Sequence, residues 1–146
     1  MTFKALILTG IALAYASPAL AHHSFAMFDA EKKMTLEGTI KEFQWTNPHS
    51  WILIMVPDAQ GTLRQWAIEM GGPAGLARQG WVATTLTPGM KVTAVIHPLK
   101  DGNRGGQYMA VTLPDGTTKG NPNGGAPNAD AGAGPAPPAA TGGAYQ

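Results

Sequence analysis

The stretch Ser50-Trp-Ile-Leu-Ile-Met-Val56 decides the fold, because it is an apolar run of strand length bounded by turn-forming residues. Asn47-Pro48 precedes it, and Pro57-Asp58 with Gly61 follows it. Apolar residues on both faces are typical of a strand that is covered on both sides. The sequence therefore predicts a central β-strand here, followed by a turn and a second strand.

The segments on either side continue the β pattern. Met34–Lys41 alternates apolar with polar residues, which places Leu36 and Ile40 on one face of a strand. Further strands are predicted between turn signals, over Thr62–Glu69, Met90–His97 and Gln107–Leu113. Pro73 suits the first position of a helix, and Ala74–Gln79 is predicted to form two helical turns.

The predicted order is three strands, a short helix and two more strands, which is the order of elements in an OB-fold. We therefore predict an all-β protein, a small five- or six-stranded OB-like antiparallel barrel with one short helix between strands three and four. A small sandwich and an open meander give a similar pattern, and both remain alternatives.

The N-terminal residues have the features of a secretory signal peptide over residues 1–21. Lys4 supplies a positive charge, Ala5–Ala16 is apolar, and Ala19-Leu-Ala21 fits the small-x-small cleavage rule. The apolar run is shorter than the ~20 residues that a membrane span needs. The sequence predicts cleavage after Ala21, a periplasmic or secreted product, and no membrane span in the mature chain.

The composition divides the remaining chain and excludes several classes of function. Residues 117–146 are rich in Gly, Pro, Ala and Asn and are predicted to be a disordered tail, which leaves residues 22–116 as the barrel domain. Lys and Arg number 10 against 9 Asp and Glu, so the basic excess expected of a nucleic-acid partner is missing. The absence of cysteine excludes disulfides and thiolate metal sites.

Two of the four histidines open the predicted mature chain. After cleavage, the α-amine and Nδ1 of His22 can close a chelate ring on a metal, and a second imidazole would complete a three-nitrogen site. Planar nitrogen donation suits Cu(II), and the arrangement resembles the histidine brace of copper proteins. The alternative is that His22 and His23 lie on a frayed, solvated N-terminus.

His49 is the candidate for the second imidazole, with His23 as an alternate or auxiliary ligand. It precedes the central strand on the same face as Trp51, which places it at the mouth of the predicted barrel. Its alternative role is a hydrogen-bonded cap on the core. His97 shares a strand face with Lys91 and is expected to be exposed.

Trp45 and Trp51 are candidate ligand-binding residues, because OB-type barrels use exposed aromatic side chains to hold ligands. They favour a second hypothesis, an interaction module for a peptide, a glycan or an apolar ligand. Conventional catalytic motifs are missing, and Glu69 is expected to be a solvated carboxylate. An enzyme is therefore the least favoured class, and only as a copper-dependent oxidative one.

The motifs together resemble a family of small exported bacterial proteins classed only as a domain of unknown function. The resemblance covers His22 to Gly116 and rests on segments in a fixed order: His22-His-Ser-Phe25, Trp45-Thr-Asn-Pro-His49, Trp66-Ala-Ile-Glu69, Leu76-Ala-Arg-Gln-Gly-Trp81, Leu86-Thr-Pro-Gly-Met-Lys-Val92 and Val111-Thr-Leu-Pro-Asp-Gly116. It implies an exported, barrel-like single domain but no activity. The overall prediction is an exported protein that binds a small ligand or a metal ion, with copper as the sharpest hypothesis and a periplasmic protein as a further candidate partner.

Overall fold

The computed structural model describes residues 25–124, which begin with a 3-10 turn at Phe25–Met27. The strands in this range are β1 (Met34–Gln44), β2 (Trp51–Pro57), β3 (Leu63–Glu69), β4 (Lys91–Pro98), β5 (Gly105–Thr112) and β6 (Thr118–Gly120). One short helix, α1 (Pro73–Arg78), lies between β3 and β4. The predicted order of strands and helix is confirmed.

Five strands form a closed barrel in the order β3-β2-β1-β4-β5, and β6 adds to the edge of β5. Neighbouring barrel strands are antiparallel, except that β3 and β5 pair in parallel and close the barrel. This pair departs from the antiparallel prediction for a simple reason: strand directions cannot alternate all the way round a ring of five. The all-β, OB-like barrel itself is confirmed.

The inward-facing side chains of the strands form one core. Leu36 and Ile40, predicted to share a face, are both buried, as are Ile52 and Ile54 on β2. The buried core cluster also includes residues of the other barrel strands and of the segment around α1: Ile68, Met70, Leu76, Trp81, Leu86, Val92, Ala94, Ile96, Tyr108 and Val111. The core therefore lies inside the barrel and beneath α1.

The outer face of β2 differs from the prediction of a strand covered on both sides. Trp51, Leu53 and Met55 point outward and are only partly buried. A small closed barrel has a single interior, so each strand has one face in the core and needs another segment to cover the other face. No such segment among residues 25–124 buries this face of β2 fully.

The C-terminal side of the barrel extends further than predicted. β6 pairs with β5 in the segment that the composition assigned to the tail. Lys119 Nζ donates a hydrogen bond to Gly80 O at 2.7 Å and lies 5.6 Å from the centre of the Trp81 ring. The predicted boundary at residue 116 is therefore too early. Small polar residues pair through their main chain, which composition does not reveal. Residues 125–146 of the predicted tail lie outside the described residues.

Candidate functional site

His49 lies just before β2, where the main chain is held against the end of β3. Ser50 N donates a hydrogen bond to Gly71 O at 3.2 Å, and Met70 N donates one to Ser50 O at 2.9 Å. Thr46 Oγ1 donates to His49 O at 2.8 Å and tightens the turn that leads into the strand. These hydrogen bonds fix the main chain of His49 at one end of the barrel.

The imidazole of His49 is buried against a carboxylate. His49 Nδ1 contacts Glu69 Oε1, and the two side chains are 3% and 12% exposed. The prediction that Glu69 is solvated is therefore wrong. A carboxylate on Nδ1 orients the ring and selects its tautomer, so that Nε2 is the nitrogen through which this ring would bind a metal.

Buried polar residues continue from this pair around the outside of the barrel. Trp51 pairs with Glu69 on β3. Glu69 pairs with Gln107 where β3 and β5 close the barrel, and Gln107 pairs with His97 on β4. Gln107 and His97 are 6% and 2% exposed, although they point away from the core. We call Glu69, Gln107 and His97 the polar band.

An N-terminal segment, residues 25–33, covers the His97 end of the polar band, and we call it the strap. Asp29 N donates a hydrogen bond to Pro98 O at 2.8 Å, and His97 Nδ1 donates to Lys32 O at 2.7 Å. The prediction that His97 is exposed is therefore wrong. The prediction placed His97 on the correct face of β4, but the strap, which is distant in the sequence, covers that face.

The predicted site residues are only partly brought together. His22 and His23 lie outside the described residues. Trp51 lies on the outer face beside Glu69, whereas Trp45 packs against the core through Phe43, at 5.6 Å between ring centres. The two tryptophans do not share one surface, because Trp45 follows the residue that pairs with Trp51 and so faces the opposite way.

Glu69 and Gln107 are the candidate residues that sequence reasoning missed. A signal for Glu69 was present, since the turn after Pro57 fixes the register of the β2–β3 hairpin and sets this carboxylate opposite Trp51. No comparable local signal placed Gln107 beside Glu69, because these two residues lie on β5 and β3, which are far apart in the chain and pair only when the barrel closes.

The described residues do not form a complete metal site. Between residues 25 and 124, no three His, Cys, Asp or Glu side chains are grouped so that they could hold a metal ion. A metal bound at His49 would therefore need ligands from outside this range or of another kind.

Residues 11–109 match the model of a family of unknown function, DUF6152. The chain belongs to this family. The match confirms the resemblance to a domain of unknown function and includes His49, Glu69, Gln107 and the strap, but it ends before β6. No curated protein and no solved structure matches the chain significantly.

A membrane-spanning helix is also missing from the part of the chain that the structure describes. No helix there has the length and the apolar character needed to cross a bilayer.

Proposed function

We propose that this member of the family is an exported protein that binds a copper ion at the His49–Glu69 pair. The α-amine and imidazole of His22 would supply two further nitrogens, with His23 as an alternate ligand. The observation that carries the proposal is the buried contact between His49 Nδ1 and Glu69, because metal-binding histidines are commonly oriented by a carboxylate on their other ring nitrogen.

The proposal is tested by Cu(II) titration against a competing chelator. The protein that begins at His22 is compared with a form carrying one extra N-terminal residue, which converts the α-amine into a peptide nitrogen. We expect the extra residue and His49→Ala each to weaken binding at least about tenfold, or ~1.4 kcal/mol, because each removes one nitrogen donor. Glu69→Gln should weaken binding by about tenfold or more, because it removes the orienting carboxylate.

Glu42→Gln is the matched control, since Glu42 is an exposed glutamate on β1 whose side chain accepts a hydrogen bond from Gln44 Nε2 at 3.2 Å. It should bind copper like the unaltered protein. Equal affinity of the processed and extended forms would exclude a role for the amine. N-terminal sequencing of the product exported by a bacterial host tests the processing step, and an intact residue 1–21 segment would contradict it.

A second candidate function is supported by a groove on the outside of the barrel. The groove has a volume of about 460 Å³, and Met55, Leu63 and Leu113 contribute apolar surface to it. Leu63 is 59% exposed and adds to the apolar surface that the groove presents to solvent. The apolar lining of this groove favours an apolar ligand. If no form of the protein binds copper, binding of an apolar ligand becomes the favoured function.

A further inference from the structure

The groove on the outside of the barrel contains two charged side chains that an apolar ligand does not explain. Glu37 on β1 and Lys91 on β4 line the groove, and both are exposed. Glu37 pairs with Thr93, two residues after Lys91, so the two charged residues are diagonal neighbours on one face of the sheet. Neither belongs to an ion pair or a side-chain hydrogen bond within residues 25–124. A carboxylate and an ammonium group are therefore both available to a ligand.

Apolar side chains line the groove on both sides of these charges. Met55 on β2 and Leu63 on β3 lie on one side, and Leu113, which follows β5, lies on the other. The strand order β3-β2-β1-β4-β5 places Glu37 and Lys91 between them. A wholly apolar ligand would cover a carboxylate and an ammonium group without replacing their hydrogen bonds to water, which costs free energy. The groove therefore suits a ligand that carries both charges as well as apolar groups.

The separation of the two charged residues restricts the size of that ligand. Diagonal neighbours on paired antiparallel strands lie ~7–8 Å apart. Two extended peptide residues span up to ~7 Å, so the charged ends of a dipeptide are separated by a similar distance. The side chains of an extended peptide point to opposite sides, which matches the apolar surface on both sides of the groove. The volume of about 460 Å³ lies within the ~300–1,000 Å³ range of small-molecule sites.

We propose that this groove binds a dipeptide that has apolar side chains and free termini. Glu37 accepts hydrogen bonds from the ammonium group of the ligand, and Lys91 donates to its carboxylate. Met55 and Leu113 contact its two side chains. The inference rests on the second candidate function, which it narrows to one chemical class of ligand. It does not depend on copper, because the groove lies at the end of β2, whereas His49 precedes the start of that strand.

The test is isothermal titration calorimetry of the full chain with two probes that have the same side chains. Leucyl-leucine carries both charged termini, whereas N-acetyl-leucyl-leucine amide carries neither. We expect the capped probe to bind at least about tenfold more weakly, because it loses two charge-assisted hydrogen bonds. Glu37→Gln and Lys91→Gln should each weaken binding of leucyl-leucine by about threefold to tenfold and should leave binding of the capped probe unchanged.

Glu42→Gln and Lys100→Gln are the matched controls, because they remove the same charges from exposed positions that do not line the groove. Both should bind leucyl-leucine like the unaltered protein, and circular dichroism checks the fold of every variant. If the two probes bind equally, or if the Glu37 and Lys91 variants bind leucyl-leucine as tightly as the unaltered protein, the inference is wrong and the second candidate function stands. If neither probe binds, the inference and the second candidate function both fail.

Discussion

Gly106 at the start of β5 allows the barrel to close. A Cβ atom at this position would lie 2.5 Å from His97 O and 2.6 Å from Ile96 Cδ1, closer than ordinary van der Waals contact. The neighbouring atoms belong to β4, which is paired with β5 and has little room to move. The residue is therefore required for close packing of strands and not for an unusual backbone conformation.

We expect Gly106→Ala to lower the free energy of unfolding by about 1–3 kcal/mol, the usual cost of overpacking. Gly75→Ala is the matched control, because a Cβ there meets only the end of the Arg78 side chain, at 3.9 Å, and Gly75 lies within α1. It should raise the stability by about 0.5–1 kcal/mol through helix propensity. Urea unfolding measures the free energy of unfolding of both variants. An unchanged value for Gly106→Ala would show that β4 and β5 can move apart enough to accommodate the added methyl group.

Burial also affects the chemistry of single residues inside the barrel. Tyr108 is 2% exposed, and its ring and the Trp81 ring pack in a T-shaped arrangement with 5.6 Å between ring centres. Removal from water disfavours the phenolate, so burial raises the pKa of the Tyr108 hydroxyl well above its ordinary value. Tyr108 is therefore a neutral core residue and not a candidate acid or base.

Two segments outside the barrel cover β5 and the end of β4. The strap lies at the end of β4, and the segment from β6 to Gly124 lies along β5, where Asn121 N donates a hydrogen bond to Met109 O at 3.0 Å. Lys33 Nζ donates to Pro122 O at 3.0 Å and joins the two segments. As a result, all residues of β5 from Gly105 to Val111 are buried, on both faces of the strand.

Truncation tests the contribution of the C-terminal segment. A chain ending at Gly116 loses the β5–β6 pairing and the contact of Lys119 with Trp81, and we expect it to be destabilised by at least ~1 kcal/mol. That loss lowers the melting temperature by about 4–8 °C in a domain of this size. A chain ending at Gly124 keeps these contacts and should melt like the full chain. Equal melting of both truncated chains would show that β6 adds no stability.

At the scale of the whole molecule, three aspartates link stability to pH. Hydrogen bonds from the side chains of Lys32 and Arg64 lower the pKa of Asp29 and Asp58, respectively, and the main chain of Thr117 lowers that of Asp115. A carboxyl group whose pKa is lower in the folded state stabilises the protein above its unfolded pKa of about 3.9. This contribution is lost as the pH falls through the lower, folded-state pKa.

We therefore expect the melting temperature to fall as the pH is lowered from about 5 to about 2. The triple variant Asp29→Asn, Asp58→Asn, Asp115→Asn should be less stable at neutral pH and should lose less stability over this range. Calorimetry at a series of pH values measures both slopes. Parallel slopes would show that other carboxyl groups determine the acid sensitivity.

The local sequence determined the strands and the helix of this protein. Alternation placed Leu36 and Ile40 on the core face, and Pro73 marked the start of α1, because these signals depend on residues a few positions apart. The element order then predicted the OB-like barrel. His49 was also identified from its local setting after Asn47-Pro48.

Tertiary structure alone decided what surrounds His49. Glu69 is brought to it by the β2–β3 register, Gln107 by the parallel seam that closes the barrel, and the cover on His97 by the strap. The burial of a polar side chain depends on which distant segment lies over it, and no local pattern carries that information. For the same reason β6 was assigned to the tail, since its main chain pairs with β5 while its side chains resemble those of a loop.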